Sequence, residues 1–238
     1  MNQTEPATGP LKGIRVLDLS RVLAGPWCSQ MLGDLGAAII KVEQPGQGDD
    51  SRRWGPPFLP DGSRDSAYYA CANRNKRSVA VNLATAEGAG LIRKLAAKAD
   101  IVLENFRVGT LKKNGLDYES LRQVNPKLIF CSITGFGQDG PNKDLGGYDF
   151  LIQGMSGLMS VTGRPDNVPG GGPMKVGIPI SDLVTGMYAV ISILAALPGC
   201  NRRRAKYRRC PSRFTGGDAC APSQQFHEWR GDTAPAGQ

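Results

Sequence analysis

Histidine is almost absent: a single one, His227, stands among 238 residues, and it falls within the last 40. The first 198 residues therefore hold no Ser–His or Cys–His pair, which removes the commonest nucleophile–base arrangements. Six cysteines (Cys28, Cys71, Cys131, Cys200, Cys210 and Cys220) include no C-x-x-C pair, so no structural zinc site is expected. The expected compartment is the reducing cytoplasm. No apolar run approaches the roughly 20 residues that cross a bilayer. The longest, Leu183–Leu197, spans about 15 and is interrupted by Thr185, Gly186 and Ser192, so no membrane partner is expected. Met1–Pro10 is polar, carries Glu5 and lacks an apolar segment, so no signal peptide is read. No G-x-G-x-x-G is read after any strand and no Walker A pattern is read, which makes nicotinamide and P-loop chemistry poor fits.

What is present is of globular composition, 40% hydrophobic and 21% charged, and the length suits one large domain or two small ones. The formal net charge is +8, but it is unevenly placed. After Pro198, seven Arg and one Lys face only Asp218, Glu228 and Asp232, and the segment contains no Val, Ile, Leu or Met. A nucleic-acid partner is not inferred from a charge concentrated there. Two readings of residues 198–238 are open. One is a disordered basic tail. The other, which is the expectation, is a slip of reading frame: shifted by one nucleotide from Asn201, with synonymous codons chosen freely, the segment reads T-G-E-G-Q-N-I-D-V-A-L-L-D, a turn and then a strand. The nucleotide sequence around codon 198 decides between them.

Before that break, strand and helix patterns alternate. Short apolar runs predict strands at Gly13–Leu19, Ala38–Val42, Ser78–Asn82, Asp100–Glu104 and Lys127–Ile133. Helical spacing predicts a helix over Pro26–Gly36, with Gly36 just past its end. Others are predicted from a Thr85 cap to Ala99, from an Asp117 cap to the residue before Pro126, and from a Ser181 cap through Leu183–Leu197. Residues 44–62 are predicted as loop. The fold class is α/β, a Rossmann-like parallel sheet with flanking helices joined by right-handed crossovers. Ligands on such sheets bind beyond the carboxyl ends of the strands.

With imidazole missing, carboxylate chemistry remains. Asp182 falls in the first turn of the last apolar helix, where the helix dipole favours its anion, and an ionised carboxylate is a competent nucleophile toward thioesters. On spacing alone, helix capping explains it as well. Cys28 and Cys131 read as core thiols. The segments Arg74-Asn75-Lys76-Arg77 and Asn105-Phe106-Arg107, with Lys112 and Lys113, combine cations and an aromatic face that suit a phosphorylated adenine nucleotide. Ordinary loop charge explains them too.

Seven ordered blocks from residue 13 to 186 resemble the class III CoA-transferases, the CaiB/BaiF family: G-I-R-V-L-D-L-S-R-V-L-A-G-P from Gly13, L-G-D-L-G-A from Leu32, I-K-V-E from Ile40, N-R-N-K-R-S from Asn73, E-N-F-R from Glu104, S-I-T-G-F-G from Ser132 with G-Y-D from Gly147, and S-D-L-V-T-G from Ser181. The shifted tail resembles what that family carries next. The resemblance implies a Rossmann-like large domain over 11–197, incomplete, after an extension at 1–10. It places the nucleophilic aspartate at Asp182 and the contacts to coenzyme A at Leu23, Ala24, Gln44, Leu83, Ala84, Asn105, Phe106, Arg107, Lys113 and Tyr148. Gln44 and Lys113 stand where relatives often carry Arg. The implied ligands are an acyl-CoA and a small carboxylic acid, without a metal, and the implied assembly is an interlocked homodimer. W-G-P-P-F from Trp54 and S-G-L-M from Ser156 resemble the formyl-CoA and succinate–hydroxymethylglutarate branch, implying a dicarboxylyl-CoA donor. Family members are longer, and this chain is expected to be inactive alone. The alternatives are a racemase of α-methylacyl-CoA, whose G-H-D histidine is Tyr148 here, and a non-catalytic CoA-binding or interaction module.

Overall fold

The computed structural model describes residues 8–197 and the backbone of 213–215. Six strands, β1 (Arg15–Asp18), β2 (Ala38–Glu43), β3 (Lys76–Ala80), β4 (Ile101–Glu104), β5 (Ile129–Ser132) and β6 (Arg213–Thr215), form one sheet in the order β3-β2-β1-β4-β5-β6. Every neighbouring pair is parallel. The helices are α1 (Ala24–Asp34), α2 (Ala67–Ala72), α3 (Ala86–Ala96), α4 (Tyr118–Val124), α5 (Asp149–Met155), α6 (Leu158–Thr162) and α7 (Ile180–Ala196). Beyond β6, the frame shift and basic tail expected after residue 198 lie outside the described residues. No helix among the described residues is long and apolar enough to cross a membrane.

The central strands β4 and β5 are buried along their whole length because both faces are covered. Val16, Ile39, Ile101, Leu103, Ile129 and Cys131 point into one core with Cys28 and Leu32 of α1 and Ala189, Val190 and Ile193 of α7. The alternate residues Leu17, Val42, Val102 and Phe130 point into a second core with Ala89, Ile92 and Ala96 of α3 and Leu121 of α4. Cys28 and Cys131 are buried core thiols as expected, and burial pushes the Cys131 thiol up to about 12. Strand order reverses between β1 and β4, so the crossovers that follow those two strands run in opposite directions along the sheet.

Local chemistry sets the helix ends. Thr85 caps α3 as expected, its hydroxyl accepting the Gly88 N–H at 3.1 Å. Gly36 follows α1 with φ +98°, a conformation that costs glycine little. Two caps differ from expectation. The Asp117 carboxylate accepts the Ser120 hydroxyl at 2.5 Å instead of a backbone amide. Helix α7 begins at Ile180 after Pro179, so Ser181 lies inside the first turn and its N–H is taken from outside the helix, by Asp149 of α5 at 2.8 Å. Helix α7 packs closely on α1 through Gly186, where a Cβ would sit 2.7 Å from the Ala24 carbonyl oxygen. Since Gly186 is one turn beyond Asp182, this contact fixes the height of Asp182 above the sheet.

Candidate active site

The loops that leave β1, β4 and β5 and the first turn of α7 enclose a cleft of about 1260 Å³. Leu23 and Ala24 at the mouth of α1, Asn105, Phe106 and Arg107 after β4, Tyr148 before α5, and Asp182 on α7 all line it. Seven of the eleven residues expected from sequence thus meet in one place. The other four share the carboxyl edge of the sheet but do not line this cleft. Gln44 is exposed directly after β2, Ala84 and Lys113 are exposed on the loops after β3 and β4, and Leu83 packs half-buried against the second core.

Several lining residues escaped the sequence reading. Arg21, Arg53 and Lys143 join Arg107 to give the wall four cations against Asp50 and Asp182. Arg21 and Arg53 share Asp50 at 3.4 and 3.3 Å, and the Arg21 guanidinium lies 5.4 Å from the centre of the Phe106 ring. Gly135 and Gly147 meet backbone to backbone, leaving no room for a Cβ on either, and this moors the loop carrying Lys143 and Tyr148 to the exit of β5. The run Gly135–Gly140 does spell G-x-G-x-x-G, a match the sequence reading passed over. It opens no helix, since the next one begins at Asp149, and so it lacks the strand-to-helix context of a dinucleotide fingerprint.

The basic segment 74–77 is corrected by its partners. It lies at the amino end of β3, on the far edge from the cleft. Arg74 pairs with Asp34, and Asn75 donates to the same carboxylate at 2.6 Å. Lys76 is buried, 3.5 Å from Asp18, and donates to the Pro26 carbonyl at 2.8 Å and to Asn73 at 2.9 Å. Burial lowers the Lys76 ammonium to about 8 despite the neighbouring Asp18 carboxylate. Of its three cations, two are thus committed to structural carboxylates.

The electrostatics of Asp182 also depart from expectation. Burial, reinforced by the nearby Asp149 carboxylate, raises the Asp182 carboxyl to about 7. Asp149 is held in turn. One of its oxygens accepts the Ser181 N–H at 2.8 Å, the other accepts the Gln153 side-chain amide at 2.7 Å, and Gln153 accepts the Val176 N–H at 2.8 Å. Tyr68, whose ring centre lies 5.4 Å from that of Trp54 in the cleft wall, is pushed up to about 12 by burial first and the Asp182 charge second. A carboxyl-detected NMR titration is expected to find Asp182 half-ionised near pH 7, and the substitution Asp149→Asn to lower that midpoint by removing the adjacent charge while keeping an acceptor for Ser181. A wild-type midpoint near 4 would contradict this picture.

Comparison with known proteins adds three findings. Residues 11–206 match the family model described as CoA-transferase family III. Among curated proteins, the chain is similar to the succinate–glutarate CoA-transferase of Agrobacterium fabrum, with 58% identity over 191 residues that cover 79% of this chain and 47% of that protein. It is also similar to the succinyl-CoA:glutarate CoA-transferase of Homo sapiens, with 49% identity over 188 residues, 79% of this chain and 41% of that one. The solved structure of a CAIB/BAIF family protein from Brucella suis superposes with a TM-score of 0.79 at 45% identity, covering 95% of this chain and 59% of that chain. The chain spans about half the length of the curated relatives it matches.

Proposed function

The chain belongs to CoA-transferase family III, and on that premise we propose that it serves the transfer of coenzyme A from an acyl-CoA to a carboxylic acid, with Asp182 as the covalent nucleophile. The observation that carries this reading is that Asp182 shares one cleft with the Phe106 ring and four cations, the side chains that suit an adenine nucleotide's base and phosphates.

The chemistry fits a site without imidazole. The Asp182 carboxylate attacks the thioester carbonyl, the C–S bond breaks, and a mixed anhydride and CoA thiolate form. The thiolate attacks the aspartyl carbonyl of the anhydride, releasing the donor acid as its carboxylate and leaving an aspartyl-CoA thioester. The acceptor carboxylate then attacks that thioester, and the freed thiolate attacks the acceptor's acyl carbon in the second anhydride, regenerating Asp182. Each step exchanges a carboxylate for a thiolate, so no proton is transferred and no general base is required. A carboxyl that titrates near 7 is a more basic nucleophile than an ordinary carboxylate while remaining substantially ionised at neutral pH.

For the donor we take a dicarboxylyl-CoA such as succinyl-CoA. The printed names of the Agrobacterium and human relatives support it, and so does the cationic wall, which has charge to offer a second carboxylate. Incubation with succinyl-CoA followed by peptide mass spectrometry is expected to place a hydroxylamine-labile succinyl or CoA adduct on the peptide containing Asp182. An adduct on another residue would overturn the assignment of the nucleophile. Binding of CoA without any adduct would leave either the chain expected to be inactive alone or a non-catalytic CoA-binding module.

A further inference from the structure

The turn that joins β1 to α1 is held in a conformation its own sequence resists. Val22 has φ +68°, in the left-handed region that β-branched residues avoid. Side chains from elsewhere hold it there. The Ser20 N–H donates to Asp18 at 2.9 Å, and the Ser20 carbonyl accepts from the buried Lys41 ammonium at 3.0 Å. The Arg21 N–H donates to Asn105 Oδ1 at 2.8 Å, and Asn105 Nδ2 donates back to the Arg21 carbonyl at 2.8 Å. The Val22 N–H donates to both oxygens of Asp49 at 3.2 Å. Asp49 is itself buried and fixed by Lys41 at 2.8 Å and by the Ser51 amide and hydroxyl at 3.0 and 2.7 Å. Five successive backbone polar groups are therefore satisfied by side chains of β1, β2, the loop after β2 and the loop after β4.

We infer that Asn105 and Asp49 are positioning residues that hold the Arg21–Leu23 turn in its strained form, so that Arg21, Leu23 and Ala24 form the wall on which the CoA ester docks. The inference rests on the reading of the cleft as a CoA site, and it gives Asn105 a role different from the ligand contact that the family resemblance implies. Both polar ends of the Asn105 amide are spent on the backbone of one residue, Arg21. Asn105 stitches the exits of β1 and β4 together across the point where strand order reverses.

The test combines amide hydrogen exchange of the ligand-free protein with titration of coenzyme A itself. In Asn105→Ala, exchange across residues 20–23 is expected to rise at least about tenfold while the rest of the sheet keeps its protection, and CoA affinity is expected to fall about tenfold. Adding Val22→Gly should restore most of that affinity, because glycine occupies positive φ without steric cost and needs no clamp. Asn105→Asp, which keeps the acceptor and loses the donor, should fall between the two and covers the case in which the alanine variant does not fold. Unchanged exchange at 20–23 in both Asn105 variants would overturn the inference. So would a loss of affinity that Val22→Gly fails to restore, which would mark Asn105 as a direct ligand contact. If the wild-type protein binds no CoA, the proposed function fails while the exchange measurement still decides whether the clamp exists.

Discussion

Asp182→Asn is expected to slow acyl transfer by about a thousandfold or more, as loss of a covalent nucleophile does, while CoA affinity stays within a few-fold of wild type. The side chain keeps its shape and loses only its anionic oxygen, so a fold-related loss is not expected. Stability should move the other way. The folded carboxyl titrates near 7 and the unfolded one near the ordinary value of 3.8, so between those limits the folded state holds a proton that the unfolded state releases. Wild-type stability therefore declines as pH rises from about 4 to 7, and the contribution is fully lost above that window. An uncharged amide removes this decline, so the variant should melt higher than wild type at pH 8 and show little advantage at pH 4. Thermal melts at the two pH values, beside a time course of thioester exchange, read both effects. Transfer at the wild-type rate would end the nucleophile assignment, and a variant that gains nothing at pH 8 would show that Asp182 is not desolvated.

Lys41→Met should be the most destabilising single change outside the apolar cores. The ammonium and its partner Asp49 are only 1% and 0% exposed and lie 2.8 Å apart. Removing one member strands the other charge in a low-dielectric interior, at a cost of about 3–5 kcal/mol. For a chain of this size that lowers Tm by roughly 6–20 °C. By contrast, breaking the exposed Arg122–Glu119 pair should change stability by less than about 1 kcal/mol. Replacing Lys41 and Asp49 together by apolar residues should recover much of the lost stability, because no charge is left uncompensated, yet leave the Val22 amide without its acceptor. A melting curve for Lys41→Met that coincides with wild type would mean the pair is hydrated.

Much of the sheet was legible because a parallel strand buried on both faces leaves a plain signal: Ile101–Glu104 and Ile129–Ser132 lie within their predicted runs. The short helix α2 was not, since six residues after a Gly- and Pro-rich stretch give too few turns for periodicity to show. Helices α5 and α6 were missed for the same reason. Asp182 and the Asn105–Arg107 segment, which local spacing left open and the family resemblance singled out, line the cleft. Arg21, Lys143 and Asp149 were not singled out, because their relevance depends on which loops cross, and no spacing along the chain encodes that. The segment Arg74–Arg77 shows the converse: a nucleotide contact and ordinary loop charge both stayed open for it because Asp34 and Asp18, which hold Arg74 and Lys76, are about 40 and 58 positions away in sequence. The raised titration of Asp182 was hidden on similar grounds. A helix dipole can be read from a first turn, but burial beneath neighbouring elements cannot.

The backbone contact between Gly135 and Gly147 divides the segment between them by what it can tolerate. The two glycines act as a clasp, and of the eleven residues inside it Gln138 ties back to the sheet, its side-chain amide donating to the Ser132 hydroxyl at 2.7 Å. Length and side chains around Asp139–Asp144 can then be varied, by insertion or by library, to reshape the mouth of the cleft without disturbing the sheet, whereas an alanine at either end of the clasp would unfasten it. Under the proposed transfer reaction, that loop is the place to begin redirecting the protein toward a different acid.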